Sequence, residues 1–496
     1  MGRGKNPLKE LAGQTLLYGL ATIVPRFLNY VILTPFYTRI LPLEDYGVVT
    51  ELYAYIAVLL VILTYGMETA YFRYASGSRD PGRVFSTSVI NLGITSLLFF
   101  AGVAIFLEPV ARWLEYGEHP EYILYFSVIV AIDAFSAVFF ARLRLENKGL
   151  QFGLIKLVNV LVIIVVVFLY LWWIPALLEK NPQSIVRFIY RKEIGVGYVF
   201  LANIAGSLIS LIWLICINRD FRFRYDPAII KRMLKYGMPL MIAGLFGILN
   251  DSFDKMVLKH FYPLKEGLQI VAIYGGNYKI AVLMTLFIQM FRYAVEPFFF
   301  RYAADKNSKG LYAAVMRYFI LFGFVVYLGI LMNIDIVKQL VDKSYWVGLK
   351  IVPVVLAANL LFGVFVNLSV WYKINDLTHY AILLNGAGLI MTIVFNVMLI
   401  PLWGYMASAW GHVAAMITMV TVSWYIGKKK YPIRYHLEKI SGYTVIFVIL
   451  AVMVIVRPPE ENIARILLYN TLLSGMIIMI FMIEKKNIKE RAWEKE

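Results

Sequence analysis

The sequence predicts an all-α integral membrane protein with about fourteen transmembrane helices. Three observations carry that prediction. First, the chain is 60% hydrophobic and only 16% charged over 496 residues, with a mean hydropathy of +0.71; soluble domains run near 45–50% apolar and about 25% charged. Second, apolar stretches of about 20 residues, the length a bilayer crossing needs, recur from end to end. Third, their periodicity is helical, without the short alternating segments of a membrane β-barrel.

Taken in order, the spans are predicted at 12–40, 47–72, 84–107, 121–141, 150–173, 195–217, 236–258, 270–300, 311–333, 347–372, 378–400, 405–426, 440–456 and 463–483. A basic stub (Arg3, Lys5, Lys9) precedes the first. That apolar run passes through Pro25 and Arg26 without a small-residue cleavage site, so it reads as a span and not as a cleaved signal. With the N-terminus placed in the cytoplasm, Lys and Arg in the inner segments outnumber those outside by roughly two to one. This predicts both termini inside. The outer loop 174–194 dissents, carrying Lys180, Arg187, Arg191 and Lys192.

The net charge of +17 does not signal nucleic-acid binding. The cations sit in short loops between spans, where they set orientation and meet anionic headgroups. Cys216 is the only cysteine, so no intrachain disulfide forms. His119, His260, His379, His412 and His436 are scattered, without metal-ligand spacing. No metal site, cofactor or catalytic residue is expected. The chain lacks a Walker GxxxxGK[ST] motif, an HExxH and a DxD pair, and its longest outer loop leaves little room for a catalytic domain.

The chain repeats itself. Asp45-Tyr46-Gly47-Val48, followed by Glu68 and Phe72-Arg73-Tyr74-Ala75, has a copy in Ile273-Tyr274-Gly275-Gly276, followed by Glu296 and Phe300-Arg301-Tyr302-Ala303. The same spacing separates Gly47 from Gly275 and Arg73 from Arg301. Tyr18-Gly19 and Tyr236-Gly237 open the first and seventh spans, with a short insertion implied near 261–270. Copies that begin six spans apart point the same way across the membrane, which makes this a parallel repeat and a transporter plan. The expected organisation is a six-helix lobe at 1–217, a basic cytoplasmic linker at 218–235, a second six-helix lobe at 236–427, and two further helices with a basic tail at 428–496.

Ionisable residues inside spans are costly and mark candidate sites. Asp251 with Lys255, and Arg292 with Glu296, have i,i+4 spacing and suit helix-stabilising pairs. Asp254 lies one turn from Asp251, Asp133 is mid-span, and Glu51 lies early in the second span with Lys279 as its repeat partner. Glu68 and Glu296 lie near inner helix ends, where interface charges are common. Arg26 and Lys279 have no obvious partner on their own helices. Cations facing a cavity between lobes would suit an anionic substrate such as a phosphate or pyrophosphate.

Several segments resemble the polysaccharide transporter family, whose superfamily also holds multidrug and toxin extruders and the lipid II flippase. These are PRFLNYVILTPFYTRILPLEDYG (25–47), YGMPLMIAGLFGILNDSFDKMVL (236–258), AIYGGNYKIA (272–281), FRYAVEPFFF (291–300) and FNVMLIPLWGYMASA (395–409). Met406 stands where a second Gly is common, at a packing position. The resemblance runs to about residue 427. It implies a flippase that moves undecaprenyl-diphosphate-linked oligosaccharide, a polysaccharide or lipopolysaccharide precursor, across the cell membrane by alternating access around a cationic cavity. Arg26 and Lys279 fit that cavity by position, with Arg292 and Lys255 behind them. Asp133, Asp251, Asp254, Glu296 and Glu51 are carboxylates that could carry a coupling ion or serve structure. The expected partners are the lipid-linked oligosaccharide, membrane lipids and polysaccharide assembly enzymes, for a monomer. Two alternatives stand beside this reading. An ion-coupled multidrug antiporter would want an acidic cavity, and a membrane-embedded polymerase or glycosyltransferase would want a large outer catalytic loop.

Overall fold

A computed structural model describes residues 23–219, 221–303, 305, 308–375, 377–435, 437–458 and 462–493. The basic stub, Tyr18-Gly19 and the start of the first span lie outside the described residues, as do Lys306 and His436. Among the described residues the regular structure is entirely helical. We number the helices α1 (23–40), α2 (Leu43–Ser76), α3 (Pro81–Ile105), α4 (Pro120–Leu145), α5 (Gly149–Lys180), α6 (Gly197–Ile217) and α7 (Pro227–Phe261). Then follow α8 (Leu264–Arg301), α9 (Ser308–Met332), α10 (Lys343–Lys373), α11 (His379–Trp403), α12 (Tyr405–Lys430), α13 (Leu437–Val456) and α14 (Ile463–Trp493). Each coincides with an apolar stretch predicted above. Twelve of the described helices, α2 to α12 and α14, are long and apolar enough to cross a bilayer, while α13 is shorter. The chain is a multi-pass membrane protein.

Local chemistry sets the helix starts. Asp80 caps α3 by accepting from the Arg83 amide at 3.0 Å, with Pro81 in the first turn. Asp226 caps α7 in the same way, accepting from Ala228 and Ile229 at 2.9 and 3.2 Å ahead of Pro227. A carboxylate at the N-cap satisfies amides that no helical carbonyl can reach, and proline at the first position gives up an amide that has no partner anyway. Helix α2 breaks at Tyr65 and Gly66, both at positive φ, and resumes at Met67.

The chain divides into two compact groups. One runs to Gly276 and takes in His379–Ser408; the other comprises Asn277–Thr378 and the residues from Ala409 onward. This grouping cuts across the halves drawn from the repeat, because α7 and α11 pack with each other and α7 packs on α2. Within the first group, the repeated glycines mark helix crossings. A Cβ on Gly47 would stand 2.1 Å from the Leu268 carbonyl oxygen, and one on Gly275 would stand 2.4 Å from Thr50 Cγ2. Small residues let helix backbones approach where lipid offers no hydrophobic drive. The tyrosines beside them, Tyr46 and Tyr274, are fully buried.

In the second group, α13 and α14 pack on α9. The Phe324 and Phe447 rings stack with centroids 4.1 Å apart. The side-chain amides of Asn333 and Asn470 donate to each other at 3.1 and 3.0 Å. Arg317 of α9 meets Glu484 of α14 at 2.8 Å, both nearly buried, and Tyr443 of α13 donates to the same carboxylate at 3.2 Å.

Candidate functional site

Among the described residues, charges within the apolar helices gather in four places besides the Arg317–Glu484 pair of α9 and α14. The first involves α1, α2, α4 and α5. Arg26 follows the buried Pro25 and engages its surroundings. It lies within electrostatic reach of Lys156 on α5, as do Asp133, Glu68 and Arg144. The Lys156 ammonium stands 4.0 Å from the centre of the Phe140 ring, a cation–π contact. Asp133 accepts from the Ser207 hydroxyl at 2.7 Å. Glu68 and Arg144 form an ion pair. The neighbourhood therefore holds three cations and two carboxylates. Sequence reasoning picked out Arg26 and Asp133 but passed over Lys156, which lies only two turns into its span. A lysine at that depth ordinarily reaches the interface along its own stem.

The second place is a buried ion pair. Glu51 and Lys259 are both fully buried, with Lys259 Nζ 3.0 Å from Glu51 Oε1. Tyr116 donates to the other carboxylate oxygen at 2.7 Å. The same ammonium donates to the Leu114 carbonyl at 2.7 Å, lies 3.6 Å from Glu115, and stands 4.5 Å from the centre of the Tyr116 ring. This cluster ties α2, the 114–116 turn and the end of α7 together. The sequence offered Lys279 as the repeat partner of Glu51 and ended the seventh span at 258, one residue short of Lys259. The pairing depends on a long-range approach of α7 to α2, which no local spacing signals.

The third place is α7 itself. Asp254 is fully buried and accepts from the Tyr274 hydroxyl. Lys255 lies 3.4 Å from Asp254 and also donates to the main-chain carbonyl of Asp251. The i,i+4 spacing of Asp251 and Lys255 thus brings the ammonium to a backbone oxygen. Beside these charges runs an amide ladder that sequence reasoning missed. Asn250 donates to the Asn385 carbonyl at 3.0 Å, Thr392 donates to Asn250 at 2.8 Å, and Ser408 donates to Asn396 at 2.7 Å. It fastens α11 to α7 and, through Ser408, to the start of α12.

The fourth place lies in the second packing group. Arg292 Nε is 3.2 Å from Glu296, as its spacing predicts, and Lys373 of α10 reaches the same oxygen at 2.7 Å. Lys279 is half-buried, lies about 20 Å along α8 from Arg292, and also engages its surroundings. Among the described residues, no three His, Cys, Asp or Glu side chains converge as a metal site would need.

The sequence from residue 11 to 303 matches the family model described as "Polysaccharide biosynthesis protein", which is more than half of the chain. The chain belongs to the polysaccharide biosynthesis protein family. No curated protein matches the sequence. Among solved structures, this family member is similar to the lipid II flippase MurJ in its inward closed conformation. That likeness has a TM-score of 0.75 at 13% identity and covers 95% of this chain and 99% of the flippase. It is also similar to an outward-facing multidrug resistance MATE family transporter of the MOP superfamily, at a TM-score of 0.59 and 14% identity, covering 85% and 96% of the two chains. A MOP superfamily transporter from Pyrococcus furiosus matches at 0.56 and 13%, covering 85% and 98%. At these identities the likeness establishes a shared transporter fold.

Proposed function

We propose that this protein is a flippase that carries undecaprenyl-diphosphate-linked oligosaccharide, a precursor of a polysaccharide or lipopolysaccharide, across the cell membrane by alternating access. The observation that carries the reading is the conjunction of two findings. The family is one of polysaccharide biosynthesis, and nearly the whole chain follows the fold of a lipid II flippase. Such a cargo needs a path through the membrane for two phosphates and a polar glycan, while its lipid tail stays in the bilayer.

The intramembrane cations suit that task. Arg26 and Lys279, with Lys255 and Arg292, are the residues proposed to meet the diphosphate. A guanidinium can engage phosphate oxygens in a fork, and a lysine serves as a compact point charge. Asp133, Asp251, Asp254 and Glu296 are the carboxylates proposed for ion coupling or for charge balance. Glu51 is held on both oxygens by Lys259 and Tyr116, which favours a structural role. On this reading the two sequence halves are the moving lobes, both termini face the cytoplasm, the protein acts as a monomer beside the assembly enzymes, and it catalyses no covalent chemistry. The likeness to multidrug transporters favours the antiporter as second reading, but an extruder of organic cations would call for acidic walls where Arg26 and Lys156 stand.

The test is complementation of a deletion strain, scored by surface glycan with protein level checked by blot. Wild type is expected to restore the glycan, and Arg26→Ala and Lys279→Ala to restore about one tenth or less at normal protein level, since each removes a charge-assisted contact of about 1.5–3 kcal/mol. A deletion strain that keeps its glycan would refute the flippase reading. Full restoration by both variants would refute this choice of residues.

A further inference from the structure

The segment joining α6 to α7 alternates aromatic and basic residues: Phe221, Arg222, Phe223, Arg224, Tyr225. Its main chain is clipped to the first turns of α3. The Ser86 hydroxyl donates to the Arg222 carbonyl at 2.6 Å and the Thr87 hydroxyl to the Arg224 carbonyl at 3.4 Å. The Asp226 amide donates back to Thr87 at 3.2 Å, and Arg83 pairs with Asp226 at 3.2 Å. The Phe221 ring packs edge-on against Phe85, with centroids 6.2 Å apart. Apart from the Phe221 ring, the strap is held through its main chain, by hydrogen bonds to the Arg222 and Arg224 carbonyls. Phe223 is 79% exposed, Tyr225 is 42% exposed, and Arg222 and Arg224 are exposed as well. Arg224 makes a loose, exposed ion pair with Asp80 at 3.7 Å. Among the described residues, the Arg222 guanidinium has neither hydrogen bond nor ion pair.

The depth of the strap follows from its clips. Residues 83–87 are where α3 turns apolar, with Val84 and Phe85 buried in the core. The strap therefore lies at the edge of the apolar span, the level that phospholipid headgroups occupy. Aromatic rings settle at that level, and arginines there meet headgroup phosphates.

We propose that residues 221–225 bind the anionic phospholipid headgroups of the leaflet at which α3 begins. Arg222 and Arg224 contact the phosphates, and Phe223 inserts between them. The strap would then fix the depth of α3 and of the start of α7, and would not act as a slack tether. The surface is cationic and aromatic in alternation, so its partner is an anionic bilayer surface and not a neutral one.

The lone cysteine makes the test direct. In full-length protein carrying Cys216→Ser, Phe223→Cys is spin-labelled and the protein reconstituted in phosphatidylcholine vesicles, with or without phosphatidylglycerol. Accessibility to oxygen and to a water-soluble nickel chelate is read by power saturation. With phosphatidylglycerol, chelate access is expected to fall severalfold relative to phosphatidylcholine alone. Adding Arg222→Ser and Arg224→Ser should erase that difference. Those substitutions keep the main-chain clips, so the fold is retained. A label equally open to chelate in both lipids would overturn the proposal. So would a label equally embedded in both and indifferent to the arginines, which would mean aromatic insertion without headgroup recognition.

Discussion

Lys259→Met should destabilise this protein more than any other single charge removal described here. The ammonium is fully buried, 3.0 Å from Glu51, and hydrogen-bonded at 2.7 Å to the Leu114 carbonyl. Its loss strands a buried carboxylate whose one remaining donor is the Tyr116 hydroxyl at 2.7 Å. Breaking a buried pair on one side costs about 3–5 kcal/mol, because the other charge stays desolvated. Replacing both members by uncharged groups of similar size is often close to neutral. Lys259→Met alone should therefore cost about 3–4 kcal/mol, and Glu51→Gln with Lys259→Met together about 1–2 kcal/mol, a coupling of about 2 kcal/mol or more. The assay is equilibrium unfolding of the purified protein in mixed detergent micelles, followed by circular dichroism, on wild type, Lys259→Met, Glu51→Gln and the double variant. If each single variant falls within about 1 kcal/mol of wild type, or if the two effects simply add, the pair is not the pin described here.

Two further predictions concern packing. Gly47→Ala should cost about 1–3 kcal/mol, because its new methyl meets the Leu268 backbone at 2.1 Å. Gly275→Ala should cost less, because it meets the Thr50 side chain, which can turn aside; the same unfolding assay compares them, and equal costs would contradict the crossing geometry. Arg317→Leu should loosen α13 and α14 from α9 by stranding Glu484. The expected readout is faster proteolysis between residues 431 and 462, with Arg317→Leu plus Glu484→Gln recovering most of the wild-type resistance.

The helical architecture was legible because a span needs about 20 apolar residues and little else. Each described helix covers a stretch that the sequence already marked. The repeat was legible as identities at Tyr46-Gly47 and Tyr274-Gly275, but their use as crossing points was not, since a backbone approach leaves no mark except the glycine. Charges were legible where the partner lies one turn away, as in Arg292–Glu296. They were not where the partner comes from another helix, as in Glu51–Lys259, Glu296–Lys373 and Arg317–Glu484. Lys259 looked like a loop cation because the apolar run ends just before it, yet the chain turns there and buries it. Lys156 hid for the opposite reason, close enough to a span end to pass for an interfacial lysine. Interhelical ion pairs depend on rotation and register between helices, which periodicity within one helix does not encode.

Translocation of a lipid-linked oligosaccharide can be measured leaflet by leaflet. Purified protein is reconstituted into proteoliposomes with a radiolabelled undecaprenyl-diphosphate oligosaccharide, and the fraction exposed at the outer surface is followed by an added glycosidase. A flippase exposes the inner pool in a protein-dependent way, with slowing by about tenfold or more in Arg26→Ala and Lys279→Ala, in line with loss of one charge-assisted phosphate contact. An inner pool that stays protected at the rate of protein-free vesicles would contradict translocation by this protein.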